Sequence, residues 1–413
     1  MNKTNVAAVV SSLRPGMTVY VPGMSGESLA FYAALQADPA AAAGVRFVGV
    51  HFPGINHSDY LGLHPQAQQR AYFMQPGLRQ GLREARAEWL PLDYPGIYQD
   101  LSEQLTVDLA LVHLTPPDEQ GYCSLGPSLD FQPAVWRHAR RRVAHINPRL
   151  PRVRASFQVN LKELDAFFEV PQDVLHYELP QADTNVAAQA EHVASLVEDG
   201  DTLEFGIGKL PSAVLSALRD HRRLRVYSGM VNPALSRLLD NGAIIGSVEC
   251  GVALGDDTFY QRIAADDRFL FRPVSETHDV RRIAAIASFC AINSAVEVDL
   301  LGQVNTDTVK GRCVAGVGGL PAFIAGARLS AGGKSIIALP SVTDNQQHSR
   351  IVAQLSSPVA ATRHEADYVV TEHGIARLRG LSARARAAAL IAIAAPQFRE
   401  ALLRQWTEME QQF

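Results

Sequence analysis

The chain is poor in cysteine and lysine, and it has no long apolar run. Its four cysteines, Cys123, Cys250, Cys290 and Cys313, lie far apart. No CxxC pair or Cys/His cluster has metal-site spacing, so neither zinc nor a disulfide framework is suggested, and a reducing, cytoplasmic protein is expected. No segment reaches the length of uncharged apolar residues that a membrane-spanning helix needs. The start, MNKTNVAAVVSSLRPGM, has an apolar stretch too short for a signal peptide with its cleavage site. Only five lysines (Lys3, Lys162, Lys209, Lys310 and Lys334) stand against 33 arginines. Three of the five touch a glycine in the second half, which suits a compact ammonium near a phosphate or carboxylate. The net charge is −4, with no polybasic tail. Nucleic acid and anionic membranes are therefore poor partners, and small molecules are the expected ones.

What is present is length and apolar content. The 413 residues are 47% hydrophobic and 19% charged, which suits two packed domains. Strand-like and helical segments alternate: Thr18–Pro22, helical 27–36, Val45–His51, Val107–Leu114 and Arg142–Ile146. Such alternation argues for layered α/β structure with parallel sheets. Near residues 170–184 the texture turns polar and proline-interrupted, which reads as a crossover. The domains are accordingly placed at 1–184 and 185–413. Beyond the crossover comes a βαβ unit: a helix over 185–198, a strand over 202–205, the loop Gly206-Ile-Gly-Lys-Leu-Pro211, a helix over 212–218, and a strand over 223–227 ending at Ser228-Gly229. A helix should start just behind, with Asn232 as cap and Pro233 in its first turn.

Two glycine loops carry chemistry. GIGKLP (206–211) turns backbone N–H groups toward a crevice at a helix start, where partial positive charge suits an anion or a carbonyl oxygen. AGVGGLPAF does the same with Gly316, Gly318 and Gly319. Neither is a dinucleotide fingerprint or a P-loop, since Pro211 breaks GxGxxG and GxxxxGK[ST] is absent. No GxSxG elbow is present either. The two loops point to a large, thin, phosphate-bearing ligand.

Together with TPPDEQGYCSLG (115–126), INSAVEVDLLGQV (292–304), GGKSIIALPS (332–341), SRIV (349–352) and TEHGIARLRG (371–380), these segments resemble the acetyl-CoA hydrolase/transferase family, which includes 4-hydroxybutyrate, butyryl and succinyl/acetate CoA-transferases. The resemblance runs over nearly the whole chain in the family's order. It implies two open α/β domains of the CoA-transferase (NagB/RpiA-like) type, meeting at a cleft. It implies CoA or acyl-CoA as substrate rather than a resident cofactor, and a homodimer. CoA would lie mostly on the second domain, on Gly206, Ile207, Gly208, Lys209 and Leu210, with Asn293, Gly316, Val317, Gly318, Gly319 and Lys334 lining the CoA or acyl site. Met24, Ser25 and Gly26, after Gly23, and Phe52, Pro53 and Gly54 would face the carboxylate substrate.

The resemblance also exposes a departure. The family's nucleophile is a glutamate in a segment like H-[ST]-E-M, and here Tyr227-Ser-Gly-Met230 puts Gly229 at that place. Three explanations stay open. Another carboxylate replaces it: Glu249, Glu27, or Glu276 with His278 nearby. Alternatively there is no covalent intermediate: acyl-CoA and acceptor react directly, or a water activated by Glu249 or His278 makes the chain a hydrolase. Finally, turnover is lost and acyl-CoA is only bound. Among other polar residues, Asp118 and Glu119 read as a solvated turn, Glu297 and Asp299 as a network supporting the GVGG loop, and Glu372 and His373 as a cap. His51 and His57 flank the HFPGINH loop and are candidates to meet a substrate carboxylate.

Overall fold

The computed structural model describes residues 2–412. Compactness divides the chain into two units. Unit 1 takes in Met1–Glu178, Ser247–Thr277 and Val314–Gly316, and unit 2 takes in Leu179–Gly246, His278–Cys313 and Val317–Phe413. The contiguous division expected at 184 and 185 differs from this in two places. The main boundary falls at 178, and residues 247–277 and 314–316 group with unit 1. Backbone pairing is the reason. Leu129 N–H donates to Gly251 O, Ala253 N–H to Pro127 O and Phe271 N–H to Arg154 O. Val274 sits in a unit 1 core with Tyr94 and Phe131. Pairing between segments so distant in sequence leaves no trace in local composition. The outermost residues of the expected domains, 1 and 413, lie outside the described residues.

Unit 1 is built on an eight-stranded sheet: β1 Asn2–Lys3, β2 Thr18–Tyr20, β3 Arg46–Val48, β4 Gln68–Ala71, β5 Ala87–Trp89, β6 Leu109–Leu114, β7 Arg141–Ile146 and β8 Ala166–Glu169. The spatial order is β1-β8-β7-β6-β2-β3-β4-β5, and every neighbouring pair is parallel. The central strand β6, LALVHL, is buried along its whole length, as parallel strands covered on both faces must be. Helix α1, Leu29–Ala37, starts on Ser28, whose hydroxyl accepts from the Phe31 amide.

In unit 2, helix α2 (Thr184–Ala194) is capped by the Asp183 carboxylate. It precedes β9 (Thr202–Phe205), helix α3 (Lys209–Ala217) and β10 (Leu224–Val231). The strand Ile244–Ala253 then carries the chain into unit 1, where its second half pairs with Phe269–Phe271. Unit 2 resumes with β11 (Phe289–Ser294), helix α4 (Leu320–Leu329), β12 (Lys334–Ala338), β13 (Tyr368–Thr371) and β14 (Gly374–Arg377), and ends in α5 (Ala383–Ile393) and α6 (Pro396–Glu410). Six strands lie in the order β10-β9-β11-β12-β13-β14. All pair in parallel except the closing β13-β14 hairpin. The core packs Phe289, Ile337 and Val369 against Phe323, Leu390 and Trp406.

Two expectations about the βαβ unit need correction. Helix α3 begins at Lys209, three residues early, because Gly208, at φ +117°, takes the N-cap turn. Strand β10 does not end at Ser228 but runs through Gly229 to Val231. The Ser228 hydroxyl donates to Phe205 O at 3.0 Å and accepts from its N–H at 3.4 Å, knitting β10 to the end of β9. The turn behind it starts as expected, with the Asn232 side chain accepting from the Ala234 amide.

Candidate functional site

In an open parallel sheet, ligands bind beyond the carboxyl ends of the strands. In unit 2 that edge carries Gly206 and Gly208 after β9, Gly229 near the end of β10, and Asn293 near the end of β11. A side chain at Gly206, Gly208 or Gly318 would meet nothing within 4 Å, so the backbone there faces open space. Gly208 and Gly318 also have positive φ, +117° and +65°, which selects glycine. Gly319 closes the second loop and caps α4. Ile207 is half-buried, Lys209 is exposed and Leu210 is buried.

The place left by Gly229 is not empty. A Cβ on Gly229 would lie 3.2 Å from His278 Cε1, 3.3 Å from its Nε2 and 3.5 Å from Phe323 Cε2. A Cβ on Gly319 would fall 2.2 Å from the same His278 Nε2. The imidazole is thus wedged between the two glycines, with its ring 4.5 Å from that of Phe323. Burial pulls the His278 pKa down to about 3, so the ring is neutral. A side chain at 229 would thus press on His278 and Phe323.

Face-sharing along the sheet brings in a residue that sequence reasoning missed. Alternate strand residues share a face, and paired residues of parallel strands do too. Thr202 pairs with Arg225, so Glu204 faces the same side as Tyr227 and Gly229. Glu204 pairs with Ala291, which places Asn293 on that side as well. Glu204 is only 3% exposed. Asn293 Nδ2 donates to its Oε2 at 2.7 Å. Burial pushes its pKa up to about 8, against hydrogen bonds from Asn293 and the Ile292 backbone. The available signal was a lone acid inside Thr-Leu-Glu-Phe, a strand whose residues are all buried.

The proposed replacement carboxylates are all in unit 1. Glu249 and Glu276 both pair with the Arg272 guanidinium, Glu276 at 2.6 Å, and Ser156 Oγ donates to Glu276 at 3.1 Å. Each would have to leave an ion pair to act. Glu27 is buried, takes 2.9 Å from Asn56 Nδ2, and leaves its other oxygen without a hydrogen bond. It lies behind the Met24–Gly26 turn. There Met24 is at φ +51°, and Ser25 Oγ donates to Ala253 O at 2.9 Å. His51 is buried in the same unit, and desolvation lowers its pKa, whereas His57 is exposed. The Phe52 ring lies 4.3 Å from that of Phe73, tilted by 39°. Pro53 and Gly54 border a cleft of about 360 Å³.

Three further expectations change. Lys334 begins β12, at the end of the sheet opposite the glycine loops. Its ammonium is held by Leu196 O, Glu198 and Asp201 at 3.0–3.1 Å, so it clamps the α2–β9 turn and does not line the loops' edge. Gly316 groups with unit 1, where a Cβ would lie 3.0 Å from Tyr72 O, so close packing accounts for it; Val317 groups with unit 2. Glu297 and Asp299 hold the 301–305 turn: Asp299 accepts from Leu301 and Gln303, and Glu297 from Asn305. Asp118 caps its own turn through the Gln120 and Tyr122 amides. Glu372 accepts from the Ser341 amide and hydroxyl and from Gln189, pinning the β13-β14 turn. Burial raises its pKa, but these bonds bring it below the usual value. A cavity of about 720 Å³ in unit 2 is lined by Lys310, His348, Arg350 and Phe398 and includes no glycine-loop residue. Among the described residues no group of three His, Cys, Asp or Glu could hold a metal, and no helix is long and apolar enough to cross a membrane.

Sequence models of the acetyl-CoA hydrolase/transferase N-terminal and C-terminal domains match residues 5–175 and 255–406. The 4-hydroxybutyrate coenzyme A transferase of Clostridium kluyveri is 33% identical over 372 residues, 86% of each chain. The chain belongs to the acetyl-CoA hydrolase/transferase family. Butyryl-CoA:acetate CoA-transferase of Anaerostipes caccae is 34% identical over 349 residues, 79% of this chain and 78% of that one. Acetyl-CoA hydrolase of Yarrowia lipolytica is 26% identical over 357 residues, 75% and 67% of the two chains. Among solved structures, RipA from Yersinia pestis superposes with a TM-score of 0.91 at 26% identity, over 99% of this chain and 98% of that one. The two-domain α/β fold expected from the resemblance is thus the family's, and the relatives are CoA-transferases and acetyl-CoA hydrolases.

Proposed function

We propose that this family member is a CoA-transferase that moves CoA between a short-chain acyl-CoA and a carboxylic acid such as acetate, butyrate or 4-hydroxybutyrate. The observation that carries the reading is the unit 2 edge itself. Two glycine loops face open space there, beside Asn293 and a buried carboxyl. Backbone N–H groups at the start of α3 suit the oxyanion that forms when a thioester is attacked. CoA is a substrate in this reading, and no resident cofactor or metal is needed. Met24, Ser25, Gly26, Phe52, Pro53 and Gly54 are the candidates for choosing the acid. The enzyme is taken to be a cytoplasmic homodimer; the four free cysteines support a reducing compartment, and light scattering of the purified protein tests the dimer.

A second reading, hydrolysis, is favoured by His278. The imidazole beside Gly229 is neutral and so can accept a proton, although burial, which lowers its pKa to about 3, leaves it a weak base. One experiment separates the readings. The protein is incubated with acetyl-CoA or butyryl-CoA, with and without a panel of carboxylic acids, and the CoA species are resolved by mass. New acyl-CoA that requires an acid establishes transfer. Free CoA without an acid establishes hydrolysis. Unchanged acyl-CoA, with tight binding, overturns both and leaves a binding protein.

A further inference from the structure

We propose that Glu204 is the carboxylate that attacks the thioester, taking over from a neighbouring strand the task for which position 229 has no side chain. The inference rests on the CoA-transferase reading. Glu204 and Gly229 share a face of the sheet on adjacent strands, near the same carboxyl edge. The Glu204 carboxyl reaches along that face to Asn293, which is only partly buried, so the acid stands at the floor of the open edge. Two residues on, Gly206 puts no side chain over it, and a Cβ there would meet nothing within 4 Å. The other candidate acids are engaged elsewhere: Glu249 and Glu276 by Arg272, and Glu27 by Asn56. A Cβ restored at 229 would press on His278, at 3.2 Å from its Cε1 and 3.3 Å from its Nε2. Glu204 is therefore an acid of unit 2 on the face of Gly229, buried at 3% exposure, with a hydrogen-bond partner at that edge and open space two residues on at Gly206.

The chemistry balances without a further reactant. A Glu204 oxygen attacks the thioester carbonyl carbon, the C–S bond breaks, and CoA leaves as thiolate from an acyl–glutamyl anhydride. The thiolate attacks the glutamyl carbon of that anhydride, giving a Glu204–CoA thioester and releasing the original acyl group as its carboxylate. The incoming acid runs the two steps backward with its own carboxylate. Covalent catalysis of this kind divides one hard displacement into easier ones.

The test is trapping at the residue. Wild-type protein is mixed with acyl-CoA, reduced with borohydride and digested, and the peptides are sequenced by mass. Borohydride converts an enzyme thioester to a primary alcohol, so the proposal expects that change on Glu204. An alcohol on Glu27, Glu249 or Glu276 would overturn it. Glu204→Gln keeps an oxygen for Asn293 and should keep CoA affinity, while turnover falls by at least about 10³-fold. Turnover that survives in E204Q refutes the assignment and leaves the transferase reading standing. Loss in E204Q with no trapped adduct in the wild type also refutes it, because the acid would then only orient Asn293. If wild-type protein turns over no acyl-CoA, the functional reading itself has failed.

Discussion

Replacing Glu204 by glutamine removes a buried acid and leaves its hydrogen bond to Asn293 in place. Stability should therefore rise even as activity falls. The Glu204 pKa is about 8 in the folded protein, against an ordinary value of 4.5. Because the folded value is the higher one, the folded state holds the proton more tightly. Stability is complete below the unfolded value and is lost as pH rises through the folded one. Linkage puts the penalty at about 1 kcal/mol near pH 5, about 3 kcal/mol near pH 7 and approaching about 5 kcal/mol near pH 9. Glutamine carries no such penalty. E204Q should melt above the wild type by a margin that widens with pH, reaching roughly 6 °C or more at neutral pH. Thermal unfolding followed by fluorescence reads this, since Trp406 is buried in the unit 2 core. A difference between the two proteins that stays constant from acid to alkaline pH would refute the reasoning. Stability given up for activity is a trade common at active sites.

Other perturbations test the wedge, the loop and the clamp. Gly319→Ala places a methyl group 2.2 Å from His278 Nε2 and should cost about 1–3 kcal/mol. Much of that should return in the G319A/H278A double variant, and additive losses in chemical denaturation would show the wedge to be inert. Gly318→Val forces a β-branched residue to φ +65° at an open loop; calorimetry should show CoA affinity at least about tenfold weaker, and unchanged affinity would remove this loop from the CoA site. Lys334→Met leaves Asp201 buried without its cation and should cost about 1–3 kcal/mol of stability. Its CoA affinity should not change, and weakened binding would return Lys334 to the ligand site. If Glu204 must be ionised to attack, transferase turnover should climb with pH through about 8; a profile flat across that range would count against it.

Much of the protein was written locally. Alternating short apolar strands and helices dictate layered α/β structure, because each strand buries both faces and needs a crossover to reach its parallel neighbour. Gly206-Ile-Gly208 announced its loop, since only glycine tolerates φ +117° at the cap of α3. The series of motifs through TEHGIARLRG carried the family. The occupancy of the site was decided by tertiary structure. His278 and Gly229 are 49 residues apart, so nothing local says that an imidazole fills the gap beside the glycine. Lys334 looked like a ligand residue because it follows two glycines, but strand direction puts it at the wrong end of the sheet. Glu249 and Glu276 looked free until Arg272 was seen between them. Glu204 looked like an ordinary strand residue, and only burial beside Asn293 makes it an acid of unusual pKa. Backbone propensity and glycine conformation act within a few residues and are legible in order. Charge pairing, desolvation and steric exclusion act across space between residues far apart in the chain, and only the packed fold sets them.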